Sequence, residues 1–298
     1  MVTDRCSQLS RALGEPIAGT AVASTSVWIV LEHRGPWGAK AVPECDLPDP
    51  VKERLMGWQD TIAGARVQLV RQSGPHNGPL RFWLGVSDLV GARLVTWTLD
   101  SASALLELDV PALVKSLRAG DAIEGAREVA EPLMLVCTNG RRDVCCSKEG
   151  IPVARALAEQ EGVEVWQTTH LGGHRFAATL LQLPAGLCYG RIEPQDAPGL
   201  AQAAVDGTVY RLDRLRGRTS LHSVEQAAET IWRGRTGRLE TGALASVEHE
   251  QGEGRVVVTL RDHDGQAHEV ALERRMLGPK APPSCGKEPA PIAGWFVA

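Results

Sequence analysis

The sequence predicts an α/β protein made of two tandem β-α-β-β-β-α units and a small C-terminal α+β extension. Three observations carry this. Short runs of branched and aromatic residues alternate with stretches of helical spacing through 1–212. The same order of elements then occurs twice. Of the 298 residues, 43% are apolar and 23% charged, the balance of a globular chain and not of a disordered one. A chain of this length implies more than one compact unit. The divisions fall at 1–125, 126–212 and 213–298.

In the first unit, 27–31 (Val-Trp-Ile-Val-Leu) reads as a buried strand that runs into a loop at 32–38. Val51, Leu55, Trp58 and Ile62 recur on one face and predict a helix over 50–62. Residues 66–70 alternate like a strand. A turn around 74–78 follows, and 80–86 and 92–97 read as two further strands. Asp109 suits the N-cap of a helix over 109–117.

The second unit repeats the order. A strand at 132–136 leads into a loop over 137–150. A helix spans 151–160, with Pro152 in its first turn. Strands follow at 163–166, 176–183 and 187–192, the last two joined by Pro184-Ala-Gly186, and then a helix over 196–205. Leu80-Arg-Phe82 occupies the place of His174-Arg-Phe176, and Asp109-Val-Pro-Ala-Leu113 that of Asp196-Ala-Pro-Gly-Leu200. This implies an internal duplication of a unit close to the minimal thioredoxin-like arrangement. Glu32 stands in the first copy where the second has Cys137, so a metal site is expected only in the second. The extension reads as a helix over 223–232 and a hairpin of 255–260 and 269–272 turning at Asp264-Gly265, with 280–286 as tail or loop.

A net charge of -4 gives no basic field for nucleic acid. No run approaches the roughly 18 apolar residues of a membrane helix, and the first residues lack a signal-peptide layout. The seven cysteines are odd in number and mostly scattered, unlike a secreted disulfide framework. A cytoplasmic location and reduced thiols are expected. In such a compartment clustered cysteines are more often metal ligands or redox groups.

The chemistry concentrates in Cys137-Thr-Asn-Gly-Arg-Arg-Asp-Val-Cys-Cys146 and His170-Leu-Gly-Gly-His174. Both segments are read as loops after strands, where sites form. The glycines let two imidazoles converge without a regular helix. Two sulfurs and two nitrogens suit tetrahedral zinc or an iron–sulfur cluster. The gap between Cys137 and Cys146 is wide for a zinc finger and better suited to wrapping a two-iron cluster. The vicinal Cys145–Cys146 pair leaves a thiol–disulfide function open. Cys6, Cys45 and Cys188 read as plain thiols, Cys285 as a packing residue or a redox or docking group, and His33, His76, His222, His249, His263 and His268 as solvated.

These motifs, with Gly19-Thr-Ala21, Pro36-Trp-Gly38, Tyr189-Gly190, Arg216-Gly-Arg218, Glu225-Gln-Ala-Ala228 and Ser284-Cys-Gly286, make the chain resemble the sucrase/ferredoxin-like family, a branch of the thioredoxin-like ferredoxins. The resemblance implies a 2Fe–2S cluster held by Cys137 and Cys146 on one iron and His170 and His174 on the other. Asn139 stands where many members have histidine. Cys145 is a neighbour able to replace Cys146 as ligand. Arg142, Asp143, Gly172, Gly173 and Arg175 surround these positions. The arginines can offset the charge of a reduced cluster or dock an acidic partner.

Neutral imidazoles raise a cluster's potential and can gain or lose a proton with the electron. The expected function is therefore soluble, proton-coupled electron transfer, more carrier than self-sufficient enzyme, with no catalytic residue assigned. No phosphate-binding glycine loop appears, so electrons are expected from a separate partner such as a reductase. A thiol–disulfide oxidoreductase and a zinc-stabilised interaction module are the other readings. No paired carboxylates suggest glycoside hydrolysis.

Overall fold

In the first unit of the computed structural model, strand β1 (Val27–Glu32) is buried on both faces, as its unbroken apolar run requires. The model describes residues 5–72, 74 and 78–298. His76 and part of the turn expected over 74–78 lie outside the described residues. Helix α1 (Cys6–Ala12) precedes β1. After β1 come α2 (Asp49–Thr61), β2 (Ala65–Arg71), β3 (Leu80–Val86), β4 (Arg93–Leu99), α3 (Val110–Ala119) and the short β5 (Arg127–Glu128). Helix α2 buries Val51, Leu55 and Trp58 against this layer. Helix α3 starts where Asp109 accepts a hydrogen bond from Ala112 N, 3.2 Å, and stops at Gly120, whose φ is +84°.

The second unit runs β6 (Leu133–Cys137), α4 (Val144–Ala158), β7 (Glu164–Thr168), β8 (Leu180–Leu183), β9 (Leu187–Tyr189), α5 (Ala197–Val205) and β10 (Leu215–Arg218). Each unit has the thioredoxin-like sheet order. In the first, β1 pairs parallel with β2 and antiparallel with β3, which pairs antiparallel with β4. In the second, β6 has the same relation to β7 and β8, and β8 to β9. The two units are not separate bodies. Val70 pairs with Thr168 and Arg71 with Gln167, antiparallel, so ten strands form one sheet in the order β10-β9-β8-β6-β7-β2-β1-β3-β4-β5.

The chain then forms α6 (Ser223–Thr236) and an antiparallel sheet of β11 (Leu244–Gln251), β12 (Val256–Asp262), β13 (Ala267–Ala281) and β14 (Ala290–Val297). Helix α6 packs Val224, Ala227, Ala228 and Trp232 on that sheet.

Four expectations need correction. The extension is not a helix with one hairpin and a tail: β11 and β14 flank the expected hairpin in a four-stranded sheet, and β13 runs on to Ala281. The helix expected over 151–160 begins at Val144, so Cys145 and Cys146 lie on its first turn and not in a loop. Asp143 is the true N-cap and accepts from Cys145 N, 2.9 Å. Pro152 therefore sits inside the helix. It lies on the exposed face of the helix, opposite the buried Cys146, Val153, Ala154 and Leu157. The strand expected over 176–183 begins only at Leu180, because His174–Phe176 forms a 3-10 turn closed by Phe176 N donating to Gly173 O, 2.8 Å. His33 is not solvated. It is 7% exposed, with Nε2 2.9 Å from Asp46, and burial lowers its pKa.

Candidate metal centre

Strand β6 delivers Cys137 at its C-terminal end, and the first turn of α4 delivers Cys146 beside it. Both side chains are almost fully buried. The approach is close because residue 150 is glycine: a Cβ there would lie 2.1 Å from the Cys137 carbonyl oxygen. His170 follows β7 and points Nδ1 at both sulfurs, 3.9 Å from Cys137 and 3.7 Å from Cys146. His174 lies one step further out. Its Nδ1 is 3.4 Å from His170 Nε2, and the ring centroids are 5.1 Å apart. Cys137, Cys146 and His170 thus form one close group of potential ligands, and His174 extends it through His170.

The electrostatics suit metal binding. The hydrogen bond from Cys146, with help from His170, brings the Cys137 thiol well below its usual range despite burial. Cys146 is pushed up, first as the donor to Cys137 and then by burial. The pair thus shares a proton that a cation would displace. Burial lowers the His174 pKa, favouring the neutral ring that a metal needs. His174 Nε2 is buried without a hydrogen bond, 3.7 Å from Asp143 Oδ2. Burial alone would raise Asp143, but bonds from Cys145 N, Cys285 N and the Ser284 hydroxyl hold it at about 2.

The histidine loop is fixed from behind. Buried Arg216 donates to Gly172 O at 2.9 Å and also holds Thr20. Gly173 adopts φ +68°, and a Cβ there would lie 2.3 Å from Arg216 Nη2. The first unit supplies the other wall. Arg66 Nη2 donates to His170 O, 2.8 Å, and Asn139 Nδ2 donates to Gly38 O, 3.1 Å. Lys40, Arg66 and Arg142 share an open cleft with His170. Arg175 leaves the site, pairing with Glu15 at 2.6 Å and lying over the Phe176 ring. Cys145 also turns away, toward Cys6 and Cys285.

Sequence reasoning assigned no ligand role to Cys6 or Cys285 and no positioning role to Arg66, Gly150 or Arg216. Arg216-Gly-Arg218 and Ser284-Cys-Gly286 were visible as motifs, but nothing local showed what they touch. Two thiols and two imidazoles are the kinds of donor that a 2Fe–2S group or a zinc ion takes. The 3.4 Å between His170 Nε2 and His174 Nδ1 matches two nitrogens on one tetrahedral ion with bonds of about 2.1 Å. These groupings fit a metal-binding or redox role.

Comparison with known proteins places the chain. The profile of the sucrase/ferredoxin-like family matches residues 22–217. Altered inheritance of mitochondria protein 32 from Meyerozyma guilliermondii is 31% identical over 101 residues, 30% of this chain and 36% of that protein. The protein of the same name from Debaryomyces hansenii is 28% identical over 95 residues, 27% of this chain and 33% of that one. The matches span about a third of these curated relatives. A solved thioredoxin-like [2Fe-2S] ferredoxin from Aquifex aeolicus aligns with a TM-score of 0.27 and 15% identity, covering 29% of this chain and 91% of that one. Among the described residues no helix is long and apolar enough to cross a membrane. With its paired thiols, paired imidazoles and a family match over about two thirds of its length, the chain belongs to the sucrase/ferredoxin-like family.

Proposed function

We propose that this chain is a one-electron redox protein that holds a 2Fe–2S cluster on Cys137, Cys146, His170 and His174. The convergence of the two buried thiols on His170, with His174 3.4 Å beyond it, carries this reading. A bound cluster supplies one-electron transfer, at a potential raised above that of all-cysteine clusters because imidazole replaces thiolate. The chain's own groups do the rest. Buried Cys137 and Cys146 keep water from the sulfur side. Arg66 and Arg216 place positive charge behind the histidine loop, which offsets added negative charge. His174 Nε2 faces Asp143 and is the atom placed to hold a proton. His170 borders the cleft with Lys40, Arg66 and Arg142, a cationic face for an acidic redox partner such as a reductase.

Protein purified without oxygen should be coloured, bleach with dithionite and contain iron and acid-labile sulfide in equal amounts. His174→Cys should keep the cluster, lower its potential and flatten the potential's pH dependence. An unchanged potential removes His174 from the ligand set. A second reading is a mononuclear zinc site, favoured by the mutual closeness of Cys137, Cys146 and His170. Colourless protein with zinc and no sulfide at these residues would replace the first reading by the second.

A further inference from the structure

Cys6, Cys145 and Cys285 meet at a place of their own. Cys6 opens α1, Cys145 lies on the first turn of α4, and Cys285 lies between β13 and β14. Their sulfurs form a closed triangle of 3.5 Å (Cys6–Cys145), 3.3 Å (Cys145–Cys285) and 3.6 Å (Cys285–Cys6). Both carboxylate oxygens of Asp143 are 3.9 Å from the Cys6 sulfur. Cys6, Cys145 and Asp143 are buried, and Cys285 is half-buried. The Ser7 hydroxyl donates to the Cys145 sulfur, 3.3 Å. Ser284 and two backbone amides orient Asp143.

We infer that Cys6, Cys145, Cys285 and Asp143 bind a zinc ion, in a second centre separate from that of Cys137, Cys146, His170 and His174. The inference stands whichever metal occupies the first centre. A disulfide joins two sulfurs at about 2.05 Å and leaves a third unused. Here three sulfurs are nearly equidistant, the arrangement that one central cation makes favourable. Zinc–sulfur bonds of about 2.3 Å on a tetrahedron set neighbouring sulfurs about 3.8 Å apart, close to this triangle. The carboxylate as fourth donor suits zinc better than a soft monovalent ion such as Cu(I). The hydrogen bonds on Asp143 and Cys145 are of the kind that orient metal ligands.

Proton balance is simple. The ion displaces the thiol protons of Cys6 and Cys285, and that of Cys145 where it is still present, and the three thiolates and one carboxylate bind it. No oxidant is consumed. The ion would tie segments 139 and 140 residues apart onto the helix that carries Cys146. Zinc here would staple both outer segments of the chain to the first centre.

The test is metal counting on the full reduced chain by mass spectrometry, with iron, zinc and copper measured together. The Cys6→Ser, Cys285→Ser double variant should hold one zinc per chain fewer than the wild type, and the same difference should be found when both are compared in the Cys137→Ser background. An unchanged zinc count in the double variant, or a loss of copper in place of zinc, overturns the assignment. A second measurement needs no variant. Zinc added to chelator-treated wild-type protein should protect Cys285 from alkylation, and EDTA should restore reactivity. Equal alkylation with and without zinc, or a Cys145–Cys285 bridge in a non-reducing peptide map of freshly purified protein, also overturns it.

Discussion

Gly173→Ala tests whether Arg216 sets the histidine loop, because the neighbouring glycine provides its own control. Gly173 has φ +68°, and a side chain in this left-handed region costs about 1 kcal/mol. The new Cβ would lie 2.3 Å from Arg216 Nη2 and 2.7 Å from Cζ, so the guanidinium must move by about 1 Å to reach ordinary contact. That guanidinium is buried and donates to Gly172 O, Thr20 O, Thr20 Oγ1 and the Cys188 sulfur. Moving it breaks one or two charged hydrogen bonds at about 1.5–3 kcal/mol each. The expected loss is about 2.5–7 kcal/mol, with iron content falling as His174 shifts. At Gly172, φ is +91° but a Cβ meets nothing within 4 Å. Gly172→Ala should then cost only backbone strain, about 1–2 kcal/mol. Urea midpoints and iron per chain, measured on both variants, decide the matter. Equal losses within about 0.5 kcal/mol would refute the role given to Arg216.

Trp166 meets Trp83 edge-on at 4.9 Å inside a core drawn from both units, so Trp166→Ala should cost about 3–5 kcal/mol. The same shared core predicts one unfolding transition for both units by fluorescence and circular dichroism; separated midpoints would contradict it. Glu229 is buried between Arg218, 3.2 Å, and Arg233, 2.9 Å. Glu229→Gln strands two buried cations and should cost about 3–5 kcal/mol. Burial alone would raise the Glu229 pKa, but the two arginines hold it below its usual range. A folded pKa below the unfolded one gives stability above the unfolded value that is lost as pH falls through the folded value. The gap between wild type and Glu229→Gln should therefore narrow below about pH 4, and a gap constant down to about pH 3 would contradict the pairing. Arg66→Met removes the donor to His170 O and should lower iron affinity more than stability; titration with chelator measures this, and unchanged retention would remove Arg66 from the site.

Strands were legible where burial on both faces leaves no polar residue, as in 27–31, or where alternation is plain, as in β12. The short edges β5 and β10 were not, since two to four residues such as Leu215-Arg-Gly-Arg218 carry no period. The start of α4 was misplaced because Pro152 looks like a first-turn residue, whereas the real signal is Asp143 three residues before Cys146. For the site, the cysteine and histidine spacing was enough to single out four residues. It was not enough to find what holds them. Arg66 and Arg216 reach the histidine loop from distant segments, and sequence periodicity reports only neighbours along the chain.

The antiparallel seam between the units relates the strand end at Glu32 to the one at Cys137. Glu32 pairs with Val70, Val70 with Thr168, and Thr168 with Cys137, so the two equivalent strand-end positions lie in one row across four strands. At about 4.8 Å per strand they are roughly 14 Å apart. The two strand ends therefore lie in one row, one on each side of the seam. In the first copy Glu32 is spent on Arg34, 2.7 Å, and on the Arg81 amide, 3.0 Å. That pairing orders the loop whose Gly38 receives Asn139. Strand β2 meanwhile sends Arg66 to His170. The first unit thus forms a wall of the candidate site in the second, which binds the positions of the cysteine and histidine loops to the integrity of the whole ten-stranded sheet.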